Sequence, residues 1–131
     1  AAEKTLEIID ETDALDTIER YGLELQSGMS RILDRRDIAH SFVGHPSMGG
    51  LFFHASAPMT YRDWLDSDYT FYDAMAPELH DLGVLCEPDS REPWFVCEAH
   101  AADDSLERTL AAFEQAVDLT LDKLDRKAAH A

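Results

Sequence analysis

The stretch Val84 to His100, VLCEPDSREPWFVCEAH, restricts the fold more than any other part of the chain. Pro88 and Pro93 lie inside a charged run, Glu87-Pro88-Asp89-Ser90-Arg91-Glu92-Pro93, flanked by two short apolar runs. Each proline lacks a backbone donor and disfavours helical geometry at the residue before it, so the run fits neither a helix interior nor a central strand. The flanking runs, Val84-Leu85-Cys86 and Trp94-Phe95-Val96-Cys97, are β-prone, and the pattern predicts strand, loop, strand. Such a loop either presents binding groups from a rigid scaffold or is a plain polar connection.

On both sides of this stretch the apolar residues take up a helical period. After a short helical piece over Thr5–Ile9, a longer helix is predicted from about Leu15 to Arg35. There Leu15, Ile18, Gly22, Leu25, Met29, Ile32 and Leu33 recur at threes and fours behind Asp13 as N-cap. Leu106, Leu110, Phe113, Val117, Leu121 and Leu124 make the same stripe behind a capping box of Asp104 and Glu107. Between the long helices, Ile38–Val43 alternates as a strand and leads into a Gly44-His45-Pro46 turn. Met48–His54 is a more apolar strand, whose Gly49-Gly50 pair signals either a close approach or a bulge. Thr60 caps a short helix through Leu65. Asp68–Leu82 forms another, with Tyr69, Tyr72, Met75, Leu79 and Leu82 on one face, a kink or break at Pro77, and Gly83 as its left-handed end. The order helix, strand, strand, helix, strand, strand, helix predicts an α+β two-layer sandwich, a single domain over residues 1–131.

Charge narrows the partners. With 27 acidic against 11 basic residues and a formal charge of −16, the chain has no basic stripe for nucleic acid or for an anionic membrane surface. No apolar run reaches the length of a membrane span, and the acidic, amphipathic first residues do not form a signal peptide, so the expected compartment is the cytoplasm. There Cys86 and Cys97, side by side if the two predicted strands pair, are expected as reduced thiols. Acid excess with only three lysines, Lys4, Lys123 and Lys127, suggests adaptation to high salt.

Few residues point to chemistry. His40, His45, His54, His100 and the two cysteines show no zinc spacing, so no metal site is expected. On a strand, Cys97 and His100 fall on opposite faces, which argues against a nucleophile pair. Tyr69, Phe71 and Tyr72 read as core. What remains is Arg91-Glu92 beside Trp94. The planar guanidinium takes a substrate carboxylate if the loop lines a cleft, and otherwise pairs with Asp89 or Glu92 at the surface.

Several segments, in this order, resemble a known family: Ser47-Met48-Gly49-Gly50-Leu51-Phe52-Phe53; Gly83-Val84-Leu85 with Pro88; Glu92-Pro93-Trp94-Phe95-Val96 closing in Ala99-His100; and Asp104 through Arg108-Thr109-Leu110. The likeness, from about Thr5 to Leu124, is to the C-terminal small domain of class III aminotransferases, pyridoxal-phosphate enzymes of fold type I, and nearest to the glutamate-1-semialdehyde aminomutases. It implies that the chain is roughly the last third of an enzyme, with residues 1–12 as a linker helix from the large domain. The cofactor, pyridoxal 5'-phosphate, would then be bound by a large domain this chain lacks, and Lys4 would not be the lysine that holds it.

The small domain would close the site and touch an amino acid or semialdehyde substrate, and the full enzyme would be a homodimer. The resemblance assigns no catalytic residue to this part. It implies Glu92 as a substrate-side residue and Ser47, Met48 and Gly49 as the domain interface near the site. Arg91 departs from the aminomutase pattern, which makes amine transfer between an amino acid and a keto acid a live alternative, with Arg91 and Glu92 as the substrate-binding pair. The competing reading is a stand-alone acidic α+β module that binds a partner and catalyses nothing. The charge makes its own prediction: the melting temperature rises from low to molar salt as repulsion among the acidic side chains is screened, and a flat or falling series in a thermal melt contradicts it.

Overall fold

The computed structural model describes residues 2–129. It contains α1 (Ala2–Glu11), α2 (Ala14–Asp34), β1 (Ser41–Val43), β2 (Met48–Phe52), α3 (Tyr61–Leu65), α4 (Tyr69–Asp81), β3 (Trp94–Phe95), a 3₁₀ turn (Glu98–Ala102) and α5 (Ser105–Ala128). The three strands form one antiparallel sheet in the order β1-β2-β3, so the fold is the expected α+β type.

The helical stripes make the core. Leu33 of α2, Met75 and Leu79 of α4, and Phe113 and Val117 of α5 are fully excluded from water, and burial of each contributes roughly 1.5–3 kcal/mol. The sheet supplies Leu51, with Phe53 just beyond β2, from one face only. Gly49 and Gly50 pair regularly, with Trp94 and Val43, so there is no bulge. The reason for glycine is close approach: a Cβ at Gly49 would meet Gln26 Nε2 of α2 at 2.4 Å.

The ends of α4 follow the sequence reading. Asp68 accepts from the Phe71 amide at 3.0 Å, and Gly83 adopts φ +86° while Val84 N–H returns to Leu79 O at 2.9 Å. Thr60 forms a full capping box with Asp63, whose carboxyl is held below its usual range by the Met59 amide above all. Pro77 does not break α4; it and Asp73 are both exposed, so the carbonyl that loses its partner sits at the solvent side.

Several expectations fail for identifiable reasons. Val84-Leu85-Cys86 is not a strand. Its backbone is claimed by α4 instead: His80 Nε2–H donates to Cys86 O at 2.6 Å and Tyr72 O–H to Glu87 O at 2.9 Å, while Leu85 is 92 % exposed. The last predicted strand stops at Phe95, because Cys97 begins the 3₁₀ turn. Accordingly Cys86 is buried and Cys97 exposed, both as free thiols. The first strand begins only at Ser41. Asp13 and Asp104 stand at N-cap positions without capping through their side chains; the Asp104 carboxylate goes to Arg108 at 3.0 Å and Asp103 takes the Ser105 amide. Helix α1 is longer than expected and buries no residue.

Two arginines staple α2 to α5. Arg36 Nε donates to Asp118 at 2.6 Å and its Nη2 to Glu114 at 3.0 Å, and Arg35 adds a second bond to Glu114 at 2.9 Å. These hydrogen bonds hold both carboxyls below the usual range. The unfolded chain therefore binds more protons in acid, and this stabilisation is complete above about pH 5 and lost as pH falls through the lower folded values. Arg36→Ala is expected to cost about 1–2 kcal/mol, discounted for the half-exposed carboxylates, or about 5 °C in melting temperature near neutral pH. In calorimetry the difference from the parent should shrink below about pH 4; a difference independent of pH would show that Arg36 acts by packing alone.

Candidate functional site

All three helices of the core lie on one side of the sheet. Directly opposed residues of antiparallel strands share a face. Leu51 and Phe42 therefore face the helices, whereas Met48 with Phe95, Gly50 with Val43, and Phe52 with Ser41 share the other face. On that face Met48 and Phe95 are 52 % and 62 % exposed, while Phe52 borders a hollow with Tyr61 and Trp64 of α3. Ser41 Oγ on it is buried without a hydrogen-bond partner among the described residues.

The proline loop runs along the rim of this open face and is fixed at both ends. Tyr72, 1 % exposed, accepts from Trp94 Nε1–H at 3.0 Å and donates to Glu87 O. Its burial raises the phenol pKa far above the ordinary value, so the hydroxyl keeps its proton. At the middle of the loop, Ser90 is buried and accepts from Trp64 Nε1–H of α3 at 2.9 Å. A hollow of about 300 Å³ lies on each side of the loop. One is bounded by His80, Cys86, Pro88, Pro93 and Trp94, the other by Phe52, Pro58, Met59, Tyr61, Trp64 and Arg91.

Arg91 does not hold an empty fork. Its Nε lies 2.9 Å from Asp89 Oδ1, its Nη2 bonds Asp89 Oδ2, and the guanidinium stands 5.1 Å from the centre of the Trp64 ring. The Asp89 carboxyl is brought down to about 2, chiefly by the Arg91 side chain. Glu92 is exposed, and among the described residues its carboxylate makes no ion pair; its amide closes the turn on Asp89 O at 3.0 Å. Of the proposed interface residues, Met48 lies on the open face, Gly49 is turned to Gln26 of α2, and Ser47 bonds His45 Nδ1 at 2.9 Å while its carbonyl takes the Val96 amide.

Sequence reasoning missed the roles of Trp64, Ser90 and Tyr72. A tryptophan and a serine 26 positions apart carry no local signal, although the polar tips of Tyr72 and Trp94 within apolar segments call for partners. The argument that separated Cys97 from His100 also fails, because a 3₁₀ turn brings them together: His100 Nδ1 accepts the Cys97 amide at 3.0 Å. Burial pushes the Cys86 thiol up to about 11, which keeps it protonated and inert near neutral pH. Among the described residues no group of three or more His, Cys, Asp or Glu is placed to hold a metal ion, and no helix is long and apolar enough to cross a membrane.

No family profile matches the chain. It is 37 % identical over 94 residues to a protein of Thermoplasma volcanium named glutamate-1-semialdehyde 2,1-aminomutase, a match spanning 72 % of this chain and 22 % of the relative. A protein of the same name from Thermus thermophilus is 27 % identical over 114 residues, 86 % of this chain and 27 % of its own length. Among solved structures, the PLP internal aldimine form of the FumI protein of Sphingopyxis sp. MTA144 superposes with a TM-score of 0.77 at 26 % identity, covering 95 % of this chain and 27 % of that one. An omega-transaminase from Sphaerobacter thermophilus shares the fold, with a TM-score of 0.64 at 14 % identity over 80 % of this chain and 24 % of its own. The chain thus spans about a quarter of the length of the relatives it matches. It belongs to the glutamate-1-semialdehyde aminomutase and aminotransferase family, and corresponds to a domain-sized stretch of its members.

Proposed function

We propose that this chain is the small C-terminal domain of a class III, pyridoxal-phosphate-dependent aminotransferase or aminomutase-like enzyme, and that its open sheet face closes over the reacting centre. The observation that carries the reading is the exposed Met48–Phe95 pair on the sheet face away from the helical core, continuous through Phe52 with the hollow beside Arg91. Exposed apolar area of this kind marks an interaction surface. The α1 helix, with Leu6, Ile8 and Ile9 exposed, fits a connection to the larger domain. A homodimer formed mainly through that domain completes the assembly.

The residues of this chain do not fit the cofactor itself. Lys4 pairs with Glu7 on exposed α1, Lys123 pairs with Glu78 across the α4–α5 seam, Lys127 is exposed near the end of α5, and none of the three lines either hollow beside the loop. The cofactor, when bound by the larger domain, supplies the electron sink for reaction at the amine-bearing carbon. This chain supplies substrate contacts and excludes water, with Glu92 as a free carboxylate facing substrate and Arg91 as the group that meets a substrate carboxylate.

Two measurements test this. Pyridoxal phosphate added to the isolated chain should give no saturable imine absorbance that depends on a single lysine; a band lost on changing Lys4, Lys123 or Lys127 alone would move the cofactor site into this chain. In the enzyme assembled with its cofactor-binding domain, Arg91→Ala should raise KM for carboxylate-bearing substrates about tenfold or more relative to uncharged amines, the range for loss of one charge-assisted contact. Glu92→Gln should instead favour carboxylates by removing a like charge. Equal loss of both substrate types on Glu92→Gln, with no selective effect of Arg91→Ala, would leave Glu92 alone of the two facing substrate and make Arg91 a surface group.

A further inference from the structure

Asp89 and the Arg91 guanidinium are each held by contacts besides the ion pair between them. The turn orients Asp89 through the Arg91 amide, which donates to its Oδ1 at 2.9 Å, and through the Glu92 amide on its carbonyl. Trp64 supports the guanidinium from below, and its own ring is held by the Ser90 hydroxyl and stacked on Tyr69 at 4.8 Å between centroids. A carboxylate held two residues away in this geometry meets the fork without the translational and rotational cost that a free carboxylate incurs. Besides Arg91 the hollow is lined mainly by apolar and aromatic residues, Phe52, Pro58, Met59, Tyr61 and Trp64, with Thr60 the one other polar residue in its lining. The loop 87–93 also holds three acidic side chains, Glu87, Asp89 and Glu92, against the one Arg91, which disfavours a second anion.

We propose that Asp89 is a specificity-determining residue: it occupies the Arg91 fork as a built-in carboxylate, so that the hollow beside it takes an apolar, uncharged substituent of the amine substrate, and a substrate carboxylate binds only by displacing Asp89. The proposal rests on the reading of Arg91 as substrate-facing. Asp89 lowers the apparent affinity for carboxylates by the fraction of time it leaves the fork open; if that fraction is about a tenth or less, the penalty is tenfold or more. It also predicts the direction in which substrate choice shifts when the pair is broken.

The test is made in the enzyme assembled with its cofactor-binding domain, using two amine donors of matched chain length, 6-aminohexanoate and hexylamine. The readout is the ratio of their kcat/KM values. Asp89→Asn, which keeps an acceptor for the Arg91 amide but loses the charge, should raise that ratio toward 6-aminohexanoate about tenfold or more. Asp89→Ser gives a second reading should the first variant misfold. In the Asp89→Asn background Arg91→Ala should abolish the gain, and its effect on the ratio should exceed its effect in the parent. If Arg91→Ala shifts the ratio equally in both backgrounds while neither Asp89 variant does, Arg91 contacts substrate but Asp89 does not govern it, and the proposal is overturned. If Arg91→Ala shifts the ratio in neither background, the reading of Arg91 has failed and the proposal falls with it.

Discussion

The Tyr72 hydroxyl is the interaction on which the functional end of the molecule depends. It belongs to a side chain that is 1 % exposed on the core face of α4, and it reaches both sides of the proline loop at once, accepting from Trp94 and donating to Glu87 O. A buried phenol without partners would carry a desolvation cost; with two it becomes a fixed point between the helical core and a segment that has almost no ladder of its own. His80 one helical stretch later and Trp64 on α3 extend the same device to Cys86 and Ser90. The loop is anchored because side chains of its neighbours satisfy it, and these hydrogen bonds position Asp89, Arg91 and Glu92 relative to the sheet.

The helices were legible because their information is local and redundant. In α2 and α5 many apolar positions at threes and fours agree with one another, and Gly83 and Thr60 mark ends through chemistry confined to a few residues. The strands were less legible, since a short apolar run such as Val84-Leu85-Cys86 becomes a strand only if another backbone is free to pair with it. Here α4 presents side-chain donors first, and the run joins no strand. The failures at Asp13 and Asp104 have a related cause: both have the residue type for a cap, but for Asp104 a competing arginine one turn on takes the carboxylate. At the site, the sequence picks out Arg91 and Glu92 by residue type, and also names Asp89 as a surface partner for Arg91. It does not reveal that the aromatic platform under Arg91 comes from a helix 27 positions earlier.

Charge is distributed to match this organisation. Arginines carry the cross-element pairing with the better geometry, at Arg35 and Arg36 between α2 and α5 and at Arg91 within the loop, where a planar fork engages a carboxylate through two donors. Lysines sit outside these positions. With 27 acidic side chains against 11 basic ones, most carboxylates have no cation to pair with, and geometry decides which of them the arginines take. In the loop, the choice of Asp89 over Glu92 follows from the turn, which aims one carboxylate at the fork and leaves the other exposed.

The core helices α2, α4 and α5 cover one side of the sheet, and two kinds of residue stand out on the other. Gly50 is nearly flat, with the Phe52 ring lying so close that a Cβ at Gly50 would meet it at 2.9 Å. Met48 and Phe95 instead project outward as exposed apolar groups. A surface of flat centre and projecting apolar rim suits contact with a larger body better than it suits solvent, because water gains nothing from either. The loop that rims this face is held from the core side through Tyr72 and Trp64, so its polar groups can face outward without drawing the backbone away from the sheet. Stability and presentation therefore act on opposite sides of the same three-stranded sheet: changes in the α2–α5 staple bear on whether the domain folds, and changes at Asp89, Arg91 or Glu92 bear on what it admits.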